Sequence, residues 1–351
     1  PYAAMKIRDF RRFVSARFCI TLAIQIQAVV VGWQVYEITH DPLSLGLIGL
    51  AEAVPSIGVS LYAGHIADIL SRKRIIFVTA ATLVFCSASL LLLTIDVHTI
   101  LVDYGVLPIY TVIFISGIAR GFITPAVFSF MPQLIPRELY QNAITWNSTL
   151  WEMASIGGPP IGGLIYGFFG ITAAYAVDAS LLLIGLLLVI SIPDRPLPPP
   201  TEEQGVVEKI KAGLQFVFSN KIILGAISLD LFAVLFGGAV ALLPIFADQI
   251  LHVGKIGLGF LRSAPGIGAM LLAVYITYHP IRKRMGAILL TAVAGFGLCM
   301  ILFAFSSNFW LSMVILALSG AFDSVSVIVR GTLLHTLTPE NMKGRVSAVN
   351  N

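Results

Sequence analysis

The feature that most constrains this chain is a succession of apolar runs, each about 20 residues long and nearly free of charge. That is the length of helix needed to cross the roughly 30 Å hydrocarbon core of a bilayer. Ten such spans are read, over 14–38, 43–64, 75–95, 106–131, 142–167, 172–192, 222–247, 256–278, 286–305 and 309–335. In lipid, backbone N–H and C=O groups must be satisfied within the segment, so runs of this kind become helices. Only 11% of the residues are charged and 57% are apolar, whereas a soluble domain carries about 25% charge. A water-soluble fold is excluded, and the expected class is an all-α polytopic membrane protein.

The formal net charge of +4 does not signal a nucleic-acid partner, because the basic residues fall in short clusters between spans. Of 22 lysines and arginines, 18 lie on one set of connections: Lys6 to Arg17, Arg72, Lys73 and Arg74, Arg137, the 193–220 segment with Lys221, Arg282 to Arg284, and Lys343 with Arg345. The opposite set holds Lys255 alone, and Arg120, Arg262 and Arg330 fall within spans. Cytoplasmic connections are the ones enriched in lysine and arginine, so the amino terminus, the central linker and the carboxyl end are expected in the cytoplasm. With no cleavage-site pattern before the first span, that helix is expected to act as an uncleaved signal anchor in an inner membrane. Cys19, Cys86 and Cys299 sit in apolar runs without CxxC spacing and read as small core hydrophobes.

One connection is long. IPDRPLPPPTEEQGVVEKIKAGLQFVFSN, beginning at Ile192, opens with prolines that favour extended backbone and continues as an amphipathic stretch. It divides the chain into an amino-terminal six-helix half (1–192), a cytoplasmic linker (193–220) and a carboxyl-terminal half (221–351). The halves repeat: a shift of 210 lays Gly49, Pro55 and Gly58 over Gly259, Pro265 and Gly268, and Arg72, Lys73 and Arg74 over Arg282, Lys283 and Arg284. A shift of 203 lays Ser116 and Gly117 over Ser319 and Gly320, and Asn147 over Asn350. Duplication of a six-helix unit is the expected cause. It predicts that the carboxyl-terminal half holds helices 7 to 10 and the start of helix 11 here, with the fold truncated after about ten helices.

The segment GHIADILSRKR, from Gly64 to Arg74, resembles the G-x-x-x-D-x-x-x-R-K/R motif between helices 2 and 3 of the major facilitator superfamily. RDFR at Arg8, the GH-x-AD form and TPENMKGRVSAVN near the end are similar to its enterobactin-exporter and macrolide-efflux branch. The resemblance implies a fold of two six-helix repeats working by alternating access. It also implies that Gly64, Asp68, Arg72, Lys73 and Arg74 latch a conformation; Ile69 and Ser71 depart from the usual Arg and Gly. SIGGPPIGGLIYG, from Ser155 to Gly167, resembles the glycine and proline motif that exporters of the superfamily carry in helix 5. Gly158, Gly162 and Gly163 allow tight helix packing, and Pro159 removes a backbone donor.

Ionisable residues within spans are expensive and mark cavities or pairs. Arg120 matches the superfamily's helix-4 arginine, implicated in proton coupling, and Asp323 is its repeat equivalent. They are expected to face one another across the repeat axis, with Asp230 nearby as an alternative partner. Glu52 and Arg262 are also repeat equivalents, and Glu152 is expected to pair with Arg262. Asp178 and Arg330, nearer span ends, read as structural residues able to snorkel. Gln25, Gln27, Trp33, Gln34 and Phe232 are candidates for the wall of a substrate cavity.

HExxH, GxSxG and GxxxxGK[ST] do not occur, so neither an enzyme, a metal site nor a nucleotide-driven pump has support, and no cofactor is expected. The expected function is export of a small organic molecule, of the drug or siderophore class, by a proton-coupled monomer whose partners are the lipid bilayer, its substrate and protons. Uptake by the same fold is the nearest alternative, and a non-transporting sensor or scaffold the more distant one.

Overall fold

A computed structural model describes residues 2–95, 103–195, 215–279 and 284–338. The described residues are helical with short connections, and eight of the helices are long and apolar enough to cross a membrane. Large apolar side chains such as Leu50, Val54, Ile57, Phe85, Leu92, Phe128, Leu231 and Leu271 stand on the outside, as lipid-facing helices require.

The amino-terminal helices are α1 (Arg8–Thr39), α2 (Pro42–Ile69), α3 (Arg72–Ile95), α4 (Leu107–Phe130) and α5 (Tyr140–Ile190). Their ends follow local chemistry. His40 closes α1 in a left-handed conformation at φ 48°, and Asp41 caps α2 by accepting from the N–H groups of Leu43 and Ser44, with Pro42 in the first turn. Spans 5 and 6 run together as the 51 residues of α5, broken only at Gly170, whose φ of 85° is open to glycine and closed to most other residues. Contacts with α1 show that the chain reverses there. Before the break, Asn147 meets Arg17, Gly162 packs on Ile26 and Tyr166 meets Glu37; after it, Tyr175 meets Gln34, Asp178 meets Gln27 and Gly185 packs on Ile20. One residue thus does the work of a loop.

Span 7 is the least regular. It is an α-helix only over α6 (Lys221–Phe236), capped by Asn220, and continues as short 3-10, α and π turns to Ile250. Three further helices follow: α7 (Gly254–Tyr278), α8 (Met285–Ala304) and α9 (Phe309–Leu337).

Two compact units emerge: Pro1–Pro200 with Ala241–Ser263, and Thr201–Val240 with Ala264–Asn351. Packing therefore groups 241–263 with the amino-terminal residues, across the covalent division at 193–220 drawn from the sequence. In the first unit α1 lies along both limbs of α5, and a core of Phe10, Phe13, Ile75, Ile76, Phe130, Leu134 and Ile192 fills the end where α1 begins. That end also carries the basic residues: Arg12 donates to the Ser191 carbonyl, Arg195 pairs with Asp9, and Lys73 pairs with Asp194.

The sequence repeat has a structural counterpart inside each unit. A Cβ on Gly117 would lie 2.5 Å from the Glu52 carbonyl oxygen, and one on Gly121 2.7 Å from that of Ser56, so α4 crosses α2 backbone to backbone. In the second unit, Gly320 of α9 lies against the Pro265 carbonyl of α7, and Gly268 against that of Ala317. Gly117 and Gly320 are the pair matched by the shift of 203.

Candidate functional site

A chain of polar side chains crosses the apolar interior of the first unit, with one contribution from each of five helix segments. Arg120 of α4 forms an ion pair with Glu52 of α2. Its Nη2 also donates to Gln27 Oε1 of α1 at 3.1 Å. Gln27 Nε2 donates to Asp178 Oδ2 of the second α5 limb at 3.2 Å, and Ser87 Oγ of α3 donates to the same oxygen at 2.6 Å. One residue along α1, the Ala28 carbonyl accepts from Arg262 Nη1 of α7 at 3.2 Å. Gln27 is the hinge of the arrangement: its two-ended amide offers an acceptor to the arginine and a donor to the aspartate. Exposure falls along the chain, from 37% for the Glu52 side chain and 13% for Arg120 to 3% for Gln27 and 0% for Asp178.

A second polar cluster lies at the end of the unit away from the basic residues. Tyr36 OH donates to Asp248 Oδ2 at 2.9 Å and accepts from Gln249 Nε2 at 3.0 Å. Glu37 accepts from Tyr166 OH at 2.6 Å and pairs with Lys255 at 2.9 Å, and the Lys255 ammonium stands 4.1 Å above the Tyr166 ring. Below it the helix-5 glycines form a seam. Gly158 and Gly162 pack on α1 at Gln25 and Ile26, while Gly163 lies against the Lys255 carbonyl and Gly259 of α7, and Gly259 faces the Pro159 carbonyl. The sequence motif is thus a surface on which α5 meets two helices.

In the second unit Asp230 of α6 pairs with Arg330 of α9 and accepts from Ser326 Oγ at 3.2 Å. Both partners are about one-seventh exposed, so Arg330 does not snorkel as its position near a span end suggested. Asp323 is half-buried and has no hydrogen bond or ion pair among the described residues.

Several expectations are corrected. The charge of Arg120 is committed to Glu52 and Gln27. Glu152 does not pair with Arg262: the guanidinium reaches the α1 backbone instead, and half-buried Glu152 has no ion pair among the described residues. Gln27, Trp33 and Gln34 are 3–5% exposed, and Gln34 accepts from Tyr175 OH at 2.6 Å; these three are packed between helices and do not wall an open cavity. Gln25 is half-buried against Gly158, and Phe232 is 56% exposed. In the helix 2–3 motif, Arg72 Nη1 donates to the Ser129 carbonyl at 3.1 Å, Lys73 pairs with Asp194 and Arg74 is exposed. The surroundings of Gly64 and Asp68, the 196–214 part of the linker and the carboxyl end lie outside what the structure describes. Sequence reasoning set Asp178 aside as a structural residue able to snorkel, yet it is wholly buried, and an aspartate inside AYAVDASLLLIG carries the same signal of intramembrane charge that singled out Arg120.

Membrane-spanning helices in two internally related units, with buried charge at their centres, define a polytopic membrane transporter. The family model for transmembrane secretion effectors matches residues 1–351, and the chain belongs to that family of the major facilitator superfamily. Among curated relatives, the enterobactin exporter EntS of Shigella dysenteriae serotype 1 (strain Sd197) is 27% identical over 341 residues, covering 97% of this chain and 80% of the relative. The EntS of Escherichia coli O1:K1 / APEC gives the same figures. Similar solved structures include a bacterial homologue of the iron transporter ferroportin in an inward-facing state (TM-score 0.72, 14% identity, 98% of this chain and 87% of that one). A D-xylose-proton symporter is comparable (TM-score 0.71, 15% identity, 97% and 85%). At such identities these structures speak for the fold.

Proposed function

We propose that this chain is a secondary active exporter of a small organic molecule of the siderophore or drug class, driven by proton exchange through alternating access. The observation that carries the reading is the polar chain from Glu52 through Arg120 and Gln27 to Asp178. A membrane protein that only held its shape would have no use for two carboxylates and an arginine inside its membrane-spanning helices. The direction and the siderophore class are supported by the relatives named as enterobactin exporters. The protein would act as a monomer in the inner membrane with its amino terminus and linker cytoplasmic, in keeping with the basic residues gathered at one end of the first unit.

In this reading Arg120 is the pivot of coupling. Glu52, Arg262, Glu152, Asp230 and Asp323 supply the charges among which binding energy is redistributed as protons and substrate exchange. The helix 2–3 motif and the helix-5 glycine seam are the surfaces along which helices rearrange. The test is efflux from cells carrying the full-length protein, measured for a catecholate siderophore and a panel of lipophilic drugs with and without a protonophore. Accumulation that rises when the proton gradient collapses, and only in cells carrying the protein, is the expected result. Efflux indifferent to the gradient would remove proton coupling, and the absence of efflux for every compound would remove export.

A further inference from the structure

Among the described residues of the first unit, Asp178 is the one carboxylate that is wholly enclosed, at 0% exposure, and it is half-satisfied. Oδ2 accepts from both Ser87 Oγ and Gln27 Nε2, while Oδ1 is buried without a hydrogen-bond partner. Its immediate neighbours are neutral. The charged and titratable groups around it are Arg120 of α4, which lies behind Gln27 and is already paired with Glu52 of α2; Cys86 of α3, buried beside Ser87; Tyr175, one turn earlier on its own helix; and Arg262 of α7, on the Ala28 carbonyl. An ionised carboxylate here would be a buried charge with no cation in contact and one oxygen bare. A neutral carboxylic acid would leave a single hydroxyl unmatched, by far the smaller penalty.

We propose that Asp178 carries a proton in the conformation seen here and is a proton-binding group of the transport cycle, its ionisation being the event that draws Arg120 away from Glu52. The exchange has a direction because the two acids differ in access to solvent. Glu52 is less enclosed, 37% exposed at its side chain, and can stand alone as an anion at lower cost. Asp178 cannot, so once its proton leaves to water it has the stronger claim on the guanidinium. Gln27, already bonded to both groups, is the side chain that must turn aside for them to meet. The released Glu52 then presents a carboxylate on the open side of the cluster, fitted to a cationic or hydrogen-bond-donating part of a substrate. This deepens the proton-exchange reading and rests on it.

Infrared difference spectroscopy of the purified full-length protein in lipid nanodiscs tests the assignment without a substrate. The probe is pH alone. A carboxylic-acid carbonyl band present near neutrality should vanish on alkalinisation and be missing from Asp178→Asn at every pH. In Ser87→Ala it should move to higher frequency, because the acid has lost a hydrogen bond; this variant keeps the test decisive if Asp178→Asn folds poorly. A band unchanged in both variants, or absent from the wild type throughout, would overturn the proposal. In cells, Asp178→Asn should flatten the pH dependence of efflux. If the wild type shows no gradient-driven efflux while the band behaves as expected, proton coupling falls and the proton site alone stands. If efflux is gradient-driven but the band ignores Asp178→Asn, the Asp178 assignment falls alone.

Discussion

A buried arginine is tolerable only while its partner is present, and the Asp230–Arg330 pair, with both side chains about one-seventh exposed, puts that to a clean test. Asp230→Asn should lower the stability of the detergent-solubilised protein by about 3 kcal/mol or more, since it strands a cation, whereas Asp230→Asn with Arg330→Met should recover most of the loss. Thermal unfolding of the two variants measures this, and additive losses would mean the pair is not coupled. Asp323 makes no such contact among the described residues. Asp323→Asn should therefore leave stability near that of the wild type while abolishing gradient-driven efflux; if efflux persists unchanged, Asp323 has no part in coupling. At this scale the sequence was legible as a list and not as a wiring diagram. The intramembrane charges stand out against an apolar background, so Arg120, Glu52, Asp230 and Arg262 were identifiable. Their pairing depends on helix rotation, which one sequence with a repeat does not fix, and equivalence between halves pointed to Arg120 with Asp323 where contact joins Arg120 to Glu52.

Helices were the most readable level, because a bilayer imposes one length on every span. What escaped is where a span bends. The run 222–247 reads by length as one straight span, although Gly237, Gly238 and Pro244 lie where α-helix gives way to 3-10 and π turns after Phe236; between the spans 142–167 and 172–192 the break falls at Gly170, which takes a positive φ. The seam of α5 gives a graded prediction. A Cβ on Gly163 would meet the Lys255 carbonyl oxygen at 2.7 Å, while one on Gly157 meets nothing within 4 Å. Gly163→Val should push α5 from α7, lowering stability and silencing transport, and Gly157→Ala should be silent in both; equal thermal profiles for the two would contradict the seam. At the start of α2, the Ser44 hydroxyl and the N–H groups of Ser44 and Leu43 hold the Asp41 carboxylate below its usual range. Such a cap is present above the ordinary carboxylate value and is lost as pH falls through the lowered one. Amide exchange in the first turn of α2 should therefore be faster in Asp41→Ala than in the wild type at neutral pH, and converge with it in strong acid.

For the whole molecule the duplicated halves and the skewed distribution of basic residues were the parts a sequence could carry. The expected membrane orientation rests on the latter: cysteines placed at Glu202 and at Asn351 should react with a membrane-impermeant maleimide only after the inner face is opened, and labelling of intact cells would invert the topology. Less visible was the grouping of 241–263 with the amino-terminal helices, since it depends on Tyr36, Glu37 and Tyr166 finding Asp248, Gln249 and Lys255. The layout of α1 has a bearing on how the protein is made. Gln27 and Gln34 enter the membrane with the first helix, yet Asp178 lies 151 residues beyond the one and Tyr175 141 beyond the other. At about 5–20 residues per second of synthesis, the wait is roughly 8 to 30 s. Arg120 reaches Gln27 sooner, 93 residues on, but the Gln34 amide must be sheltered from lipid by the insertion machinery until Tyr175 is made, so the first helix can be laid down early but is secured only when the sixth arrives.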